Sequence, residues 1–230
     1  MYLPMYLRKT GLLDAFSNKG VLPILDFLVH WRLQHWGFVI IRGTYSSQAK
    51  WDKFVQFIKE DTHDYLEQRA MLHLYDKAAW TVVEDAATLN NASLEVAQKR
   101  FEDWLHGDEG EKDRAGSLFG DGVTGFGGAR YDFFLCVDEE SLESVVDEGK
   151  AKEEGGYTVK ILMRGADEGR GQNEEGAEEE EEGLDEDDRE RELQDVRKRV
   201  RVDALVKLYA QLLPANSWYI LPVEDGIIDI

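Results

Sequence analysis

The stretch GVTGFGGAR, Gly122 to Arg130, has the glycine density of a loop that wraps a phosphate. Phosphate recognition needs the glycines to follow a strand and open a helix, so that free helix amides meet the anion. Here they follow a polar segment and precede the apolar run RYDFFLCVD, and no Gly-Lys-Ser or Gly-Lys-Thr closes them. They read as a flexible connector. Ser117, in GSLFG, lacks the residue that separates the first glycine from the serine in a nucleophile elbow. Cys136 lies in an apolar run without a basic neighbour, where a thiol is an inert small hydrophobe. The five histidines, His30, His35, His63, His73 and His106, form no His-Glu-x-x-His pair or other close metal spacing. Asp185 and Asp187 are followed by Arg189 and Glu190, where a calcium loop needs another acid and a glycine. No cofactor and no metal is expected from these patterns.

Asp138, Glu139 and Glu140 form an acidic group that could serve general acid–base chemistry. Acids at a helix start are favoured by capping and the helix dipole alone, and that reading is preferred. Arg42 ends an apolar strand on its Phe38/Ile40 face, where a charge escapes to water or finds an acid. Asp132, on the neighbouring apolar strand, is a candidate partner, and a structural salt bridge is preferred to a substrate clamp. WGFVII partly echoes an RNA-recognition signature, in which strand aromatics stack on bases. Gln34 and His35 replace its leading basic residue and glycine, and Ile41 replaces its closing aromatic.

Charge narrows the partners. Of the formal net charge of −20 over 230 residues, −11 falls between Asn173 and Glu192, leaving −9 for the rest. An acidic chain is a poor ligand for phosphate backbones, so nucleic acid is disfavoured. The acidic tract reads as a disordered, solvated linker, or as a contact for a basic partner, with RKRVR (Arg197 to Arg201) an intramolecular candidate. A single cysteine excludes an internal disulfide. The N-terminal residues lack a leader pattern and the apolar runs are short of a membrane span, so a cytoplasmic or nuclear protein is expected.

These residues must be held by regular elements. LPILDFLVHWRL predicts a short helix with Pro23 in its first turn. Phe38 to Arg42 predicts a strand, and Ser46 or Ser47 caps a helix whose Trp51, Phe54, Val55, Ile58, Thr62, Tyr65 and Leu66 share one face. Ala78 to Asp85 reads as a strand, and Ser93 caps a helix carrying Leu94, Ala97, Phe101, Trp104 and Leu105. Gly107 to Gly128 reads as a loop, followed by the strand RYDFFLCVD and a helix capped by Asp138. Tyr157 to Arg164 alternates as a strand; a helix starts at Asp203, and SWYILPV is a last strand.

The strands at Phe38 and Phe133 are apolar on both faces, which places them centrally, whereas the other two have a wetter side and suit edges. Two strand–turn–helix units with such central strands predict an α+β, ferredoxin-like βαββαβ sheet. It has an inserted helix and a C-terminal helix-strand extension, with a doubly wound α/β sheet as the alternative. Helices would cover one face only, leaving the other to the chain after Val200, the N-terminal helix or a second subunit. The expected organisation is a segment at 1–34 with a short helix, a core domain at 35–165, an acidic linker at 166–195, and a segment at 196–230 packing back on the core.

HWGFVIIRGTYSS with its following Trp51, WTVVED, RYDFFLCVDEESLESV, a glycine-tyrosine strand and a terminal SWYILP together resemble a group of uncharacterised proteins from filamentous ascomycete fungi. The likeness runs from His35 to about Leu221. It implies an intracellular protein with an acidic, length-variable insert before its last segment, and it brings no activity or catalytic residues. The expected function is a non-catalytic module that binds a protein partner or self-associates, for instance as a homodimer through a sheet face. The alternative is a small-molecule binder or enzyme of the dimeric α+β barrel kind, its pocket lined by Arg42, Tyr45, Trp80 and Arg130. An RNA-binding module ranks third.

Overall fold

The computed structural model describes residues 21–118, 128–146, 156–164, 197–213, 217–224 and 226–230. Helix α1 (Leu22–Trp31) carries a proline in its first turn and ends at Arg32, which turns left-handed at φ 56°. Strand β1 (Val39–Arg42) is buried throughout and feeds helix α2 (Gln48–Glu67). Ser47 caps α2, accepting from the Lys50 amide, and Trp51, Phe54, Ile58, Thr62 and Leu66 form its buried face. A 3-10 turn (Leu72–Lys77) leads to β2 (Thr81–Val83), a short α3 (Ala86–Leu89), then α4 (Leu94–His106) and α5 (Asp108–Arg114). The chain continues through α6 (Ala129–Asp132), β3 (Phe133–Val137), α7 (Glu139–Val146) and β4 (Thr158–Met163). It closes with β5 (Arg197–Arg201), a 3-10 turn (Val202–Ala204), α8 (Leu205–Gln211), α9 (Ser217–Ile220), β6 (Val223–Glu224) and β7 (Ile227–Ile228).

The strands form one mixed sheet in the order β2-β1-β3-β4-β5-β7-β6. Strand β1 pairs in parallel with both β2 and β3, while β4 is antiparallel to its neighbours β3 and β5. The two strands that are apolar on both faces lie side by side inside the sheet, and the fold is of the mixed α+β kind. The ferredoxin-like order is not the one formed. That fold sets its second strand antiparallel beside the third, whereas β2 lies parallel beside β1, at the sheet's edge. The long connection from β2 to β3 contains α4, so it acts as a crossover rather than a hairpin. In β2-β1-β3 the chain follows the doubly wound alternative; beyond β3 it does not.

That order also covers both faces. The β1-to-β2 and β2-to-β3 crossovers run in opposite directions along the sheet, so right-handed connections put their helices on opposite sides. Trp51 of α2 lies under the Arg42 side, and Phe101 of α4 stacks on Phe134 of β3, centroids 4.7 Å apart. The expectation of helices on a single face is corrected accordingly. Tyr209 of α8 adds edge contacts to Trp36 and Phe38, at 5.5 and 5.2 Å. Local readings change as well: Gly107–Gly128 contains α5, Ala129–Asp132 and Ser217–Ile220 are helical, and β4, expected at an edge, lies between β3 and β5. Residues 1–20 of the expected 1–34 segment, the acidic linker at 166–195 and most of the glycine-rich connector at 122–130 lie outside the described residues.

The amino ends of β1 and β2 are joined through Arg130, of which 1% is exposed. All five of its N–H groups are used. Nε and Nη2 donate to the two oxygens of Asp113, each at 2.8 Å; Nη1 donates to Gly37 O and Ala79 O, at 2.9 and 2.6 Å; Nη2 also donates to Thr81 Oγ1 at 2.7 Å. Tyr131 donates its hydroxyl to Asp113 as well, at 2.9 Å. Burial opposes ionisation of Asp113, but the guanidinium and this hydroxyl outweigh it and hold the carboxyl below its usual range. Gly37 is required here: its φ is +102°, and a Cβ would stand 3.1 Å from Ala79 O. Arg130→Ala should lower unfolding stability by about 3–5 kcal/mol, because the largely buried Asp113 loses its guanidinium partner and the Gly37 and Ala79 carbonyls lose their donor. Replacing the pair together, Arg130→Met with Asp113→Leu, should recover part of that loss; urea midpoints of the two variants check both outcomes.

Candidate functional site

Open α/β sheets bind ligands outside the carboxyl ends of their strands, where chain direction along the sheet reverses. In this fold that place lies beyond β1 and β3. The loop Gly43–Ser47 leaves β1 there and opens the 20-residue α2, whose first amides and dipole favour an anion. Ser47 takes the Lys50 amide, and a carboxylate of the chain lies beside this start. Glu139, at the start of α7, accepts from Thr44 Oγ1 at 2.6 Å, from Ser46 Oγ, and from Lys50 Nζ at 3.2 Å. The Ser46 and Thr44 hydroxyls, then Lys50, hold its carboxyl below the usual range. Asp138 caps α7 through the Ser141 amide at 3.0 Å and pairs with Lys160, which also meets Glu140 at 3.0 Å. The acidic trio therefore caps and pairs.

Arg42 belongs to the same end. Its guanidinium lies 4.5 Å from the Tyr45 ring centroid and 4.6 Å from that of Trp51. Nε donates to Thr44 O at 3.0 Å, Nη1 to Glu84 at 3.1 Å, and Nη2 to Gln48 at 3.0 Å. Its acid is Glu84, not Asp132. Because β1 and β3 are parallel, Asp132 precedes β3 at the opposite end of the sheet, where it lies 3.7 Å from Arg164. Tyr45 accepts from the Asp85 amide at 2.6 Å. Arg130 and Trp80 sit at the amino end, with Trp80 packed against Trp36 and Phe38 at 6.3 and 6.2 Å. The structure thus brings Arg42 to Tyr45 and Arg130 near Trp80, but a strand's length separates the two groups.

A concave surface does form along the edge strand. A groove of about 540 Å³ runs between α2, the Leu72–Lys77 turn and β2, with Trp51, Val55, Tyr75 and Val82 among its apolar lining. Asp52, Glu60 and Asp64 of α2 line it too, with Lys59 and His63. A smaller hollow of about 330 Å³ continues it past Lys59 and Tyr75 to Ala78, Ala79, Trp80 and Thr81. Strand β2 is outermost in the sheet, so its outward backbone groups have no strand partner among the described residues. Of the four sequence-predicted site residues, only Trp80 lines this surface. Periodicity assigns Lys59, Glu60 and Asp64 to the solvated side of α2; that this side borders an open strand is set by the crossover, which periodicity does not carry.

Metal and nucleophile chemistry have few supports among the described residues. His63, Asp64 and Glu67 bring donor atoms within 4.8 Å of one another at the end of α2, the two acids exposed. The His63 ring packs edge-on against Tyr75 at 5.3 Å, and its Nδ1 is 3.4 Å from Asp64. Burial pushes the Cys136 thiol up to about 12, in keeping with an inert core residue. The bases of β5 face local partners: Lys198 donates to Trp218 O, Arg199 to Thr158, and Arg201 pairs with Asp203. No helix among the described residues is long and apolar enough to cross a membrane. Comparison with protein-family models, curated proteins and solved structures found no match.

One carboxyl on α2 titrates near neutrality. Burial, reinforced by Asp203 and Asp64, raises Asp61 to about 7. An acid with a raised folded pKa binds more protons folded than unfolded. Its cost to stability is therefore absent below about pH 4, grows as pH rises, and is complete above about pH 7. Asp61→Asn should leave the urea midpoint unchanged at pH 4. At pH 8 it should stabilise the chain by about 1–2 kcal/mol, a figure reduced for partial solvent access.

Proposed function

We propose that the chain is a non-catalytic binding module that receives an extended segment of a partner along β2, in the groove formed with α2. The observation that carries this reading is the juxtaposition of an outermost strand with an adjoining apolar-floored groove. A segment that adds to a sheet edge gains main-chain hydrogen bonds from the strand, and pockets beside it select side chains. Helices stand over both faces of β1 and β3, so the edge is a more open route than the sheet face. The charged groups at the carboxyl ends are engaged with one another, which favours a structural role for them over catalysis. Tyr75 and Trp80, both half-buried, would supply the aromatic anchors that interfaces favour.

Selection of random heptapeptides on the immobilised full chain tests this reading. The selected peptides should lose about tenfold or more in affinity for Trp80→Ala and for Tyr75→Ala, each verified as folded by thermal melting. Equal binding to native chain and both variants would place the interface elsewhere and reject the groove.

A further inference from the structure

The groove is acidic as well as apolar. Asp52, Glu60 and Asp64 line it against a single lysine, Lys59, a net of −2 with His63 neutral. All three acids are exposed, so their charge reaches the groove without large desolvation. Their spacing on α2 also fits an extended chain. Asp64 and Glu60 are one turn apart, about 6 Å along the helix, and Glu60 and Asp52 about 12 Å. Two residues of strand cover about 6.7 Å and four about 13 Å. We infer that the partner segment is basic, an extended peptide laid along the outer edge of β2 with lysine or arginine at alternate positions against the acids of α2. This rests on the binding-module reading above and adds the partner's chemistry.

The same electrostatics rank the other occupants. A second copy seated groove to groove would oppose two surfaces of like charge, which costs association free energy. Nucleic acid and anionic lipid would be repelled by the same acids. A basic peptide meets complementary charge on one wall, apolar side chains on the floor and, at β2, backbone groups without a strand partner among the described residues.

The test uses fluorescein-labelled heptapeptides of alternating lysine and valine, glutamate and valine, or threonine and valine, titrated against the full chain. The lysine peptide should bind best, weaken as salt is raised, and slow hydrogen exchange at Trp80–Glu84. The combined variant Asp52→Lys, Glu60→Lys, Asp64→Lys, altered only at exposed positions, should lose about tenfold for that peptide and gain for the glutamate one. Lysine-peptide binding that survives this variant but disappears on deletion of Asn173–Glu192 would assign it to the acidic tract and overturn the inference. A threonine peptide binding as well as the lysine peptide would remove the charge requirement while leaving the binding module standing. Absence of binding by all three would reject the basic partner. The selection experiment above decides separately whether the groove binds at all. A dimer in light scattering that the triple variant dissociates would assign the surface to a second copy instead.

Discussion

A guanidinium withdrawn from water must be neutralised and must have every N–H accepted, or the fold that buries it loses several kcal/mol. Arg130 meets that demand with groups from three parts of the chain: Asp113 on α5, Gly37 ahead of β1, and Ala79 and Thr81 at β2. The requirement fixes more than one contact. It aligns the amino ends of β1 and β2, sets α5 against the sheet, and demands the left-handed glycine that turns a carbonyl toward the guanidinium. The rest of the sheet grows from this fixed end, with α2 and α4 closing over opposite faces.

The two ends of the parallel strands then differ in kind. At the amino end a buried ion pair holds backbone carbonyls; at the carboxyl end Glu139 is held by the Thr44 and Ser46 hydroxyls ahead of α2 and by Lys50 in its first turn. Both are internal solutions to electrostatic demands that the backbone itself creates. What they leave open is lateral, the outer flank of β2, where no further strand among the described residues extends the sheet.

How much of this was legible in the residues depended on range. Val39–Arg42 and Phe133–Val137 announced their central place because apolar side chains fall on both faces, a local property of alternation. The buried stripe of α2, with its Ser47 cap, was equally local. The order of β2 was not, since a three-residue strand reads the same beside β1 or β3, and only the direction of the α4 crossover decides. Arg42 shows the same limit: it was recognisable as a charge needing water or an acid, but strand polarity put Glu84 rather than Asp132 within reach. The groove combines a solvated helix face with a strand edge, two features whose adjacency no periodicity records.

The pairing of β4 with β5 constrains the two ends of the acidic tract. Leu162 and Arg197 are cross-strand partners, so the chain leaves the sheet after Arg164 and re-enters beside its own point of departure. The 32 residues between Arg164 and Arg197 therefore close a hairpin whose ends the ladder already fixes. Loop-closure entropy grows with the logarithm of contour length, so doubling that span costs only about 0.6 kcal/mol. Such a junction tolerates drift in insert size at almost constant fold stability, leaving the charge and reach of the insert free to vary while the two strands stay in register.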